Sequence, residues 1–368
     1  MSTADDVAHM RAALALARRG LGRVWPNPAV GCVIVKHGAV VGRGWTQPGG
    51  RPHAETEALG RAGAAARGAT AYVSLEPCSH HGQTPPCATA LIGAGIARVV
   101  GALEDPDPRV SGSGFAALDA AGIAVTRGVL ADAAAELNAG FLMRVRAGRP
   151  LVTLKTATTL DGRIASHTGA SRWITGEAAR ARGHLMRVQH DAVMVGSRTA
   201  LLDDPELTCR LSGMAARSPV RIVADGHLRL PLTSRLVRTA RQTPTWVLVL
   251  PTTDAARRQA FRDCGVELIE VAADRDGNLD LPAALTALGG RGLTRLMVEG
   301  GGHLAAALLR AGLADRLAWF RAPALIGGDG VPAAAAFGID APDAAPRFVP
   351  EADVALGDDR LETYRVRR

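Results

Sequence analysis

Apolar positions along this chain fall in short runs that switch between the period of a strand and the period of a helix. Residues 1–20 read as an amphipathic helix with Val7, Met10, Leu14 and Ala17 near one face. Strands are predicted over 30–35 and 40–45, around a Lys-His-Gly turn, and over 71–74 and 99–102. Helices are predicted over 53–61, 87–93 and 116–121. After a basic, Gly- and Pro-containing stretch at 144–150, the alternation resumes with strands over 151–156, 192–196, 220–224, 245–250, 267–271 and 295–299. Helices are predicted over 177–189 and 303–310, with a loop at 300–302 between the last strand and the last helix. No element is assigned over 331–350, and there is no internal repeat. Alternation of this kind predicts layered α/β domains.

Composition refines this picture. A chain of 368 residues exceeds the size at which one core keeps growing, so two domains are expected, over 1–147 and 148–368. The net charge of +8 could suggest nucleic acid, but the basic residues form no stripe and aromatics are only 4%, too few for a base-stacking platform. No apolar run is long enough for a membrane span, and the acidic N-terminus does not read as a signal peptide, so a cytoplasmic protein is expected. Cys32, Cys209 and Cys264 are expected as free thiols in a reducing compartment. Only two of the 43 basic residues are lysine, which makes Lys155, kept inside a strand-like run, stand out.

The clearest chemistry lies at His53, Glu55, Cys78 and Cys87. One imidazole, two thiols and a carboxylate two positions past the histidine are what a zinc ion with an open fourth position requires, with Glu55 carrying protons. This set predicts hydrolytic deamination of a base-like ring. Ser79 to Pro86 separate the cysteines where the short form of the signature has two residues. Pro86 suits a helix start at Cys87, and a thiol at a helix N-terminus ionises more easily. Reading Cys78 and Cys87 as small buried residues leaves the Glu55 spacing and both Pro-Cys pairs without a reason. His80 and His81 are rival ligands, but a further protein ligand would close the site to water. Further on, a strand, Gly300-Gly301-Gly302 and a helix can cradle an anion. Equally, the same unit can be a tight turn without a ligand.

The runs WPNPAVGCVIV, PHAETEAL and YVSLEPCSHHGQTPPC resemble the deaminase half of the bifunctional riboflavin-biosynthesis deaminase/reductase. KTATTLDGRIA, SRWIT, LLDDPELTCR and VEGGGHLAAALL resemble its reductase half. Two motif sets in this order are more specific than either alone. The resemblance implies a cytidine-deaminase-like zinc domain of three α/β layers followed by a dihydrofolate-reductase-like α/β domain, with one Zn2+ per chain and NADPH. It implies deamination of a phosphorylated diaminopyrimidinone ribosylamine, then reduction of the ribosyl chain to ribityl, with no nucleic acid or membrane partner and a homo-oligomer, dimer or tetramer.

Residue by residue, the resemblance implies that Gly300, Gly301, Gly302, His303 and Leu304 face the NADPH phosphates and that Ala157, Trp173, Thr199, Asp203 and Gly226 line the cofactor. Ser171, Arg187, Leu207, Arg210 and Glu299 would touch the substrate, and Arg187 and Arg210 suit a sugar phosphate because guanidinium binds it through paired hydrogen bonds. Lys155, Asp203 and Glu299 would protonate or orient the reacting sugar. Asn27 would contact the pyrimidine edge, although Asn between prolines is also an ordinary turn residue. The family often has His where this chain has Thr46 and a basic residue where it has Gln83, both near the expected phosphate. Two other classes fit the motifs: a zinc deaminase of another nucleobase with a non-reducing nucleotide-binding domain, and a ligand-binding protein without catalysis.

Overall fold

A computed structural model describes residues 3–80, 85–107 and 110–367. The chain divides into two compact units, Met1–Gly148 and Arg149–Arg368.

In the first unit the order is α1 (Thr3–Ala17), β1 (Gly31–Lys36), β2 (Ala39–Trp45), α2 (Ala54–Ala62), β3 (Thr70–Val73), α3 (Cys87–Gly93), β4 (Arg98–Gly101), α4 (Ser113–Ala120), β5 (Ala124–Thr126), α5 (Ala131–Leu137) and α6 (Ala139–Ala147). The sheet runs β2-β1-β3-β4-β5, antiparallel around β1 and parallel from β3 to β5. β1 is buried on both faces, which is why GCVIVK reads as an unbroken apolar run. Its alternate residues feed two cores. Cys32 and Ile34 pack with Ala54, Ala58, Leu91 and Phe115, whereas Val33 and Val35 pack with Met10, Leu14 and Ala134. Three layers result, with α2, α3 and α4 on one face and α1 and α5 on the other.

The second unit continues with β6 (Leu151–Thr158), β7 (Arg163–Ala165), α7 (Glu177–Val188), β8 (Ala192–Gly196), α8 (Ser197–Asp203), β9 (Val220–Ala224), α9 (Arg235–Arg238), β10 (Thr245–Val249), α10 (Ala255–Asp263), β11 (Glu267–Glu270), α11 (Leu281–Gly290), β12 (Arg295–Glu299), α12 (Gly302–Arg310), β13 (Arg316–Arg321), β14 (Val331–Pro332), β15 (Phe348–Leu356) and β16 (Asp359–Val366). Its main sheet has the order β11-β10-β9-β8-β12-β6-β13-β16-β15. Pairing is parallel from β11 to β13 and antiparallel for the last two strands. β12, late in the chain, enters between β8 and β6, and a crevice at the carboxyl ends of such strands is where α/β sheets take ligands. Gly302, expected in the loop after β12, is instead the first residue of α12. β13, β15 and β16 were not foreseen.

Candidate active sites

In the first unit, helix α2 lies close against the edge strand β2. A Cβ on Gly42 would come 2.3 Å from the Ala58 carbonyl oxygen, and one on Gly44 would come 2.1 Å from that of Ala54. No side chain fits there, so these glycines set how near the start of α2 approaches the sheet. His53 is the N-cap of α2 with extended backbone, one position before the first turn where it was expected. Glu55 is buried in that first turn. Cys78 follows β3, and buried Cys87 opens α3, where its amide donates to Cys78 Sγ at 3.3 Å and the Ala88 amide donates to the Cys78 carbonyl at 3.1 Å.

One ligand atom from each of His53, Cys78 and Cys87 lies within 4.8 Å of the others. His53 Nδ1 is 3.3 Å from Cys87 Sγ and 3.7 Å from Cys78 Sγ. Tetrahedral zinc, with Zn–S of about 2.3 Å and Zn–N of about 2.0 Å, needs N and S ligand atoms roughly 3.6 Å apart. The cluster meets that requirement with three protein ligands among the described residues. Its titration fits as well: the hydrogen bond from Cys87 and the nearby His53 draw the Cys78 thiol down to about 4 despite burial, while the Cys78 sulfur and burial push Cys87 up. Two sulfurs this close compete for one negative charge unless a cation lies between them. Burial pushes the Glu55 carboxyl up to about 7, against the influence of His53, so it can accept and return a proton near neutrality.

Glu76 carries a role that the sequence did not disclose. Its buried carboxylate accepts backbone N–H groups from Asp105 (3.1 Å), Gly112 (2.9 Å), Gly114 (2.8 Å) and Phe115 (3.2 Å), tying the segment before Cys78 to the start of α4. The only hint was an acid beside Pro77 and Cys78. Asn27 sits directly on Gly50, where a Cβ would come 1.8 Å from its Nδ2. Thr46 is buried, and its hydroxyl accepts the Val30 amide at 3.0 Å, so it serves the backbone. His81 and Gln83 lie outside the described residues.

In the second unit, Glu299 ends β12 in register with Lys155 of β6. Arg187 of α7 grips both Glu299 oxygens, Nε to Oε1 at 2.6 Å and Nη2 to Oε2 at 2.9 Å, and donates Nη1 to the Thr208 carbonyl at 2.7 Å. The Arg187 fork, expected on a sugar phosphate, is thus closed on a carboxylate. Burial opposes charge on Glu299, but Arg187 and Lys155 outweigh it and hold the carboxyl at about 2. Leu207 is buried with φ of 54°, and Arg210 is exposed beside His184. His184 was not anticipated; it stands one turn before Arg187.

Across the β12 loop, Gly300 and Gly301 have φ of 78° and 87°, and Cβ atoms there would come 3.3 and 3.0 Å from the Thr199 side chain. Thr199 therefore lies against the glycine loop, and Leu304 packs beside Gly196 at the end of β8. His303 is exposed in the first turn of α12. Gly226 follows β9, one strand further along the sheet, and its carbonyl accepts the Leu250 amide at 2.9 Å. Ala157 lies two residues beyond Lys155 on β6, paired with Phe320. Trp173 is 65% exposed with the Arg180 guanidinium 4.6 Å from its ring centroid. Ser171 is half-buried, and Asp203 is exposed at the end of α8.

Residues 3–103 match the family of the cytidine and deoxycytidylate deaminase zinc-binding region, and residues 150–349 match the RibD C-terminal domain family. The chain is 44% identical over 338 residues to the riboflavin biosynthesis protein RibD of Escherichia coli (strain K12), covering 88% of this chain and 89% of that one. It is 42% identical over 320 residues to RibD of Bacillus amyloliquefaciens, covering 87% and 85%. Among solved structures, Acinetobacter baumannii RibD (form 1) superposes with a TM-score of 0.90 at 37% identity over 100% of both chains. The diaminohydroxyphosphoribosylaminopyrimidine deaminase/5-amino-6-(5-phosphoribosylamino)uracil reductase of Thermotoga maritima superposes with a TM-score of 0.86 at 34% identity over 99% of each.

Proposed function

The chain belongs to the RibD family of riboflavin-biosynthesis proteins, and from that premise we propose how its own residues divide the work. It is a bifunctional deaminase and reductase, with a cytidine-deaminase-like zinc domain followed by a dihydrofolate-reductase-like domain that uses NADPH. In the first reaction 2,5-diamino-6-ribosylamino-4(3H)-pyrimidinone 5′-phosphate exchanges a ring amino group for oxygen and releases ammonia. In the second, NADPH reduces the ribosyl chain to ribityl, giving 5-amino-6-ribitylamino-uracil 5′-phosphate. We assign deamination to residues 1–147 and reduction to 148–368.

The observation that carries the reading is the convergence of His53, Cys78 and Cys87 with a buried, nearly neutral-titrating Glu55 at their side. Zinc bound there supplies a Lewis acid that makes water nucleophilic near neutral pH. Glu55 takes the proton released by the attacking water and gives it to the leaving amine. Asn27, which lies against Gly50, reads the pyrimidine edge. The Thr46 hydroxyl is engaged with Val30, so the substrate phosphate is held by other groups.

NADPH supplies hydride to C1 of the sugar in its ring-opened imine form. The Gly300–302 loop, with His303, Leu304 and Thr199, binds the cofactor phosphates, and Ala157, Trp173, Asp203 and Gly226 line the rest of its length. Lys155, its ammonium steadied by Glu299, protonates the imine nitrogen as hydride arrives. Arg210 meets the substrate phosphate, Ser171 and Leu207 flank the sugar, and Arg187 keeps Glu299 charged and in place. Asp203 is the second candidate for proton transfer.

No helix of the described residues is long and apolar enough to cross a membrane. We place the chain in the cytoplasm as a homo-oligomer, dimer or tetramer, a state supported by the exposed edge strand β15. Light scattering with size exclusion tests it; a single-chain mass rejects it. For the chemistry, the purified chain supplied with the diamino substrate and NADPH is expected to release ammonia and then oxidise NADPH. Ammonia without NADPH oxidation would leave the second unit a binding domain.

A further inference from the structure

Helix α7 sets Arg180, His184 and Arg187 on one face, at spacings of four and three residues. Two of them hold a group already placed in the reductase site: Arg180 lies over Trp173, and Arg187 holds Glu299. His184, between them, meets Arg210. The Arg210 amide nitrogen is 3.4 Å from Nδ1 of the imidazole, and Arg210 Nε is 3.4 Å from Nε2. A neutral imidazole accepts at one nitrogen, and an imidazolium at neither. The guanidinium contact at Nε2 therefore requires the neutral tautomer with its proton on Nδ1, and it is lost when the ring becomes an imidazolium. Among the described residues, the Arg210 side chain has this contact and no carboxylate partner.

The charged groups around the imidazole come from three elements. Arg187 lies on its own helix, Arg210 follows Cys209, and Glu299 ends β12; the Thr208 carbonyl also faces it. Burial and the two guanidiniums lower its pKa, against a smaller opposing pull from Glu299. His184 is thus an acceptor at neutral pH, and a third cation beside two guanidiniums once protonated.

We propose that His184 is a positioning residue of the reductase site: as a neutral acceptor it holds the Arg210 guanidinium toward the substrate phosphate, and it releases that guanidinium when it takes up a proton. The proposal rests on the reading of Arg210 as a phosphate contact. A long, exposed arginine loses conformational freedom when it binds an anion, and fixing it beforehand moves that cost out of the binding step. The effect belongs in KM for the phosphorylated substrate, because the hydrogen-bond contact His184 makes with a side chain is with Arg210, the phosphate contact.

The test is steady-state reduction of 5-amino-6-(5-phosphoribosylamino)uracil by the full chain, followed as NADPH oxidation between about pH 5.5 and 8. Wild type, His184→Ala, His184→Asn, Arg210→Ala and the Ala/Ala double variant are compared. His184→Ala is expected to raise KM about tenfold, as for a lost hydrogen bond to a charged group, with kcat within about twofold of wild type. His184→Asn keeps an acceptor and should hold KM within about threefold of wild type at neutral pH. The substrate phosphate titrates alike for every variant, so the extra rise in KM on acidification should appear in wild type and be missing from His184→Asn. The double variant should be no worse than Arg210→Ala alone. Wild-type KM in His184→Ala, while Arg210→Ala raises it, overturns this proposal by itself. Wild-type KM in Arg210→Ala removes the phosphate reading as well. A fall in kcat at unchanged KM, or an acid limb in His184→Asn as steep as in wild type, also overturns the positioning role.

Discussion

Glu299 and Lys155 stand opposite one another where β12 pairs with β6, so a carboxylate and an amine share one largely enclosed stretch of sheet. Burial alone would neutralise both. Instead, Arg187 and Lys155 keep Glu299 ionised, while burial lowers the lysine pKa against the pull of Glu299. Lys155 therefore gives up its proton more readily than a surface lysine.

Glu299→Gln removes the anion and leaves Arg187 and Lys155 facing each other. Breaking a buried pair in this way costs about 3–5 kcal/mol. We expect a lower melting temperature and a loss of NADPH-dependent reduction of at least about 100-fold, with ammonia release from the diamino substrate continuing. Calorimetry and the two assays on one preparation check this. Loss of deamination in a folded, zinc-loaded variant would reject the assignment of Glu299 to the reduction alone.

Cys87→Ala removes one of three ligands, and metal analysis should show zinc lost. Glu55→Gln keeps the shape of the side chain without its proton traffic. It should retain zinc while ammonia release falls by about 10²–10⁴-fold, and reduction of the deaminated intermediate should persist. Near-wild-type ammonia release would take Glu55 out of the mechanism.

His190 gives the second unit an acid-sensitive element away from its chemistry. Its ring is buried between the Met186 carbonyl, 2.7 Å from Nδ1, and the Thr153 hydroxyl, 3.2 Å from Nε2. Burial lowers its pKa from 6.5 to about 4. The unfolded chain therefore binds the proton first, and the stability contributed by neutral His190 is complete above about pH 6.5 and lost as pH falls toward 4. The full effect is about 3 kcal/mol. Chemical denaturation across that range should show the loss in wild type and a shallower slope in His190→Gln.

Glu76→Ala leaves four amides without their acceptor and should destabilise the first unit by about 3 kcal/mol, with weaker zinc retention. Glu76→Gln keeps part of the acceptor capacity and should lie between. Denaturation curves together with zinc titration by a chelator read both effects. Unchanged zinc affinity in Glu76→Ala would separate this carboxylate from the metal site.

What the sequence disclosed follows from burial. Strands enclosed on both faces, such as β1, β8 and β12, show as apolar runs, and their bounds were close to those observed. β15 and β16 were overlooked because β15 is an exposed edge whose residues, from Phe348 to Leu356, alternate only weakly. The zinc cluster was legible because each ligand directly follows a proline, and His53 and Cys87 stand at helix starts. Glu76, His184 and the closure of Arg187 on Glu299 were not, since each depends on residues far apart in the chain. A guanidinium looks the same in sequence whether it will face a phosphate or a carboxylate.

The two glycines of β2 have a bearing on how variants of this chain should be judged. An edge strand is paired with a neighbour on one side only. Here one face of that strand is closed to side chains, because the carbonyls of Ala54 and Ala58 occupy the space where side chains at positions 44 and 42 would go. A single added methyl at Gly44 must push the first turn of α2 outward, and His53 and Glu55 travel with it. Substitutions at Gly42 and Gly44 will therefore impair the deaminase from a strand that supplies neither a zinc ligand nor the proton-carrying acid.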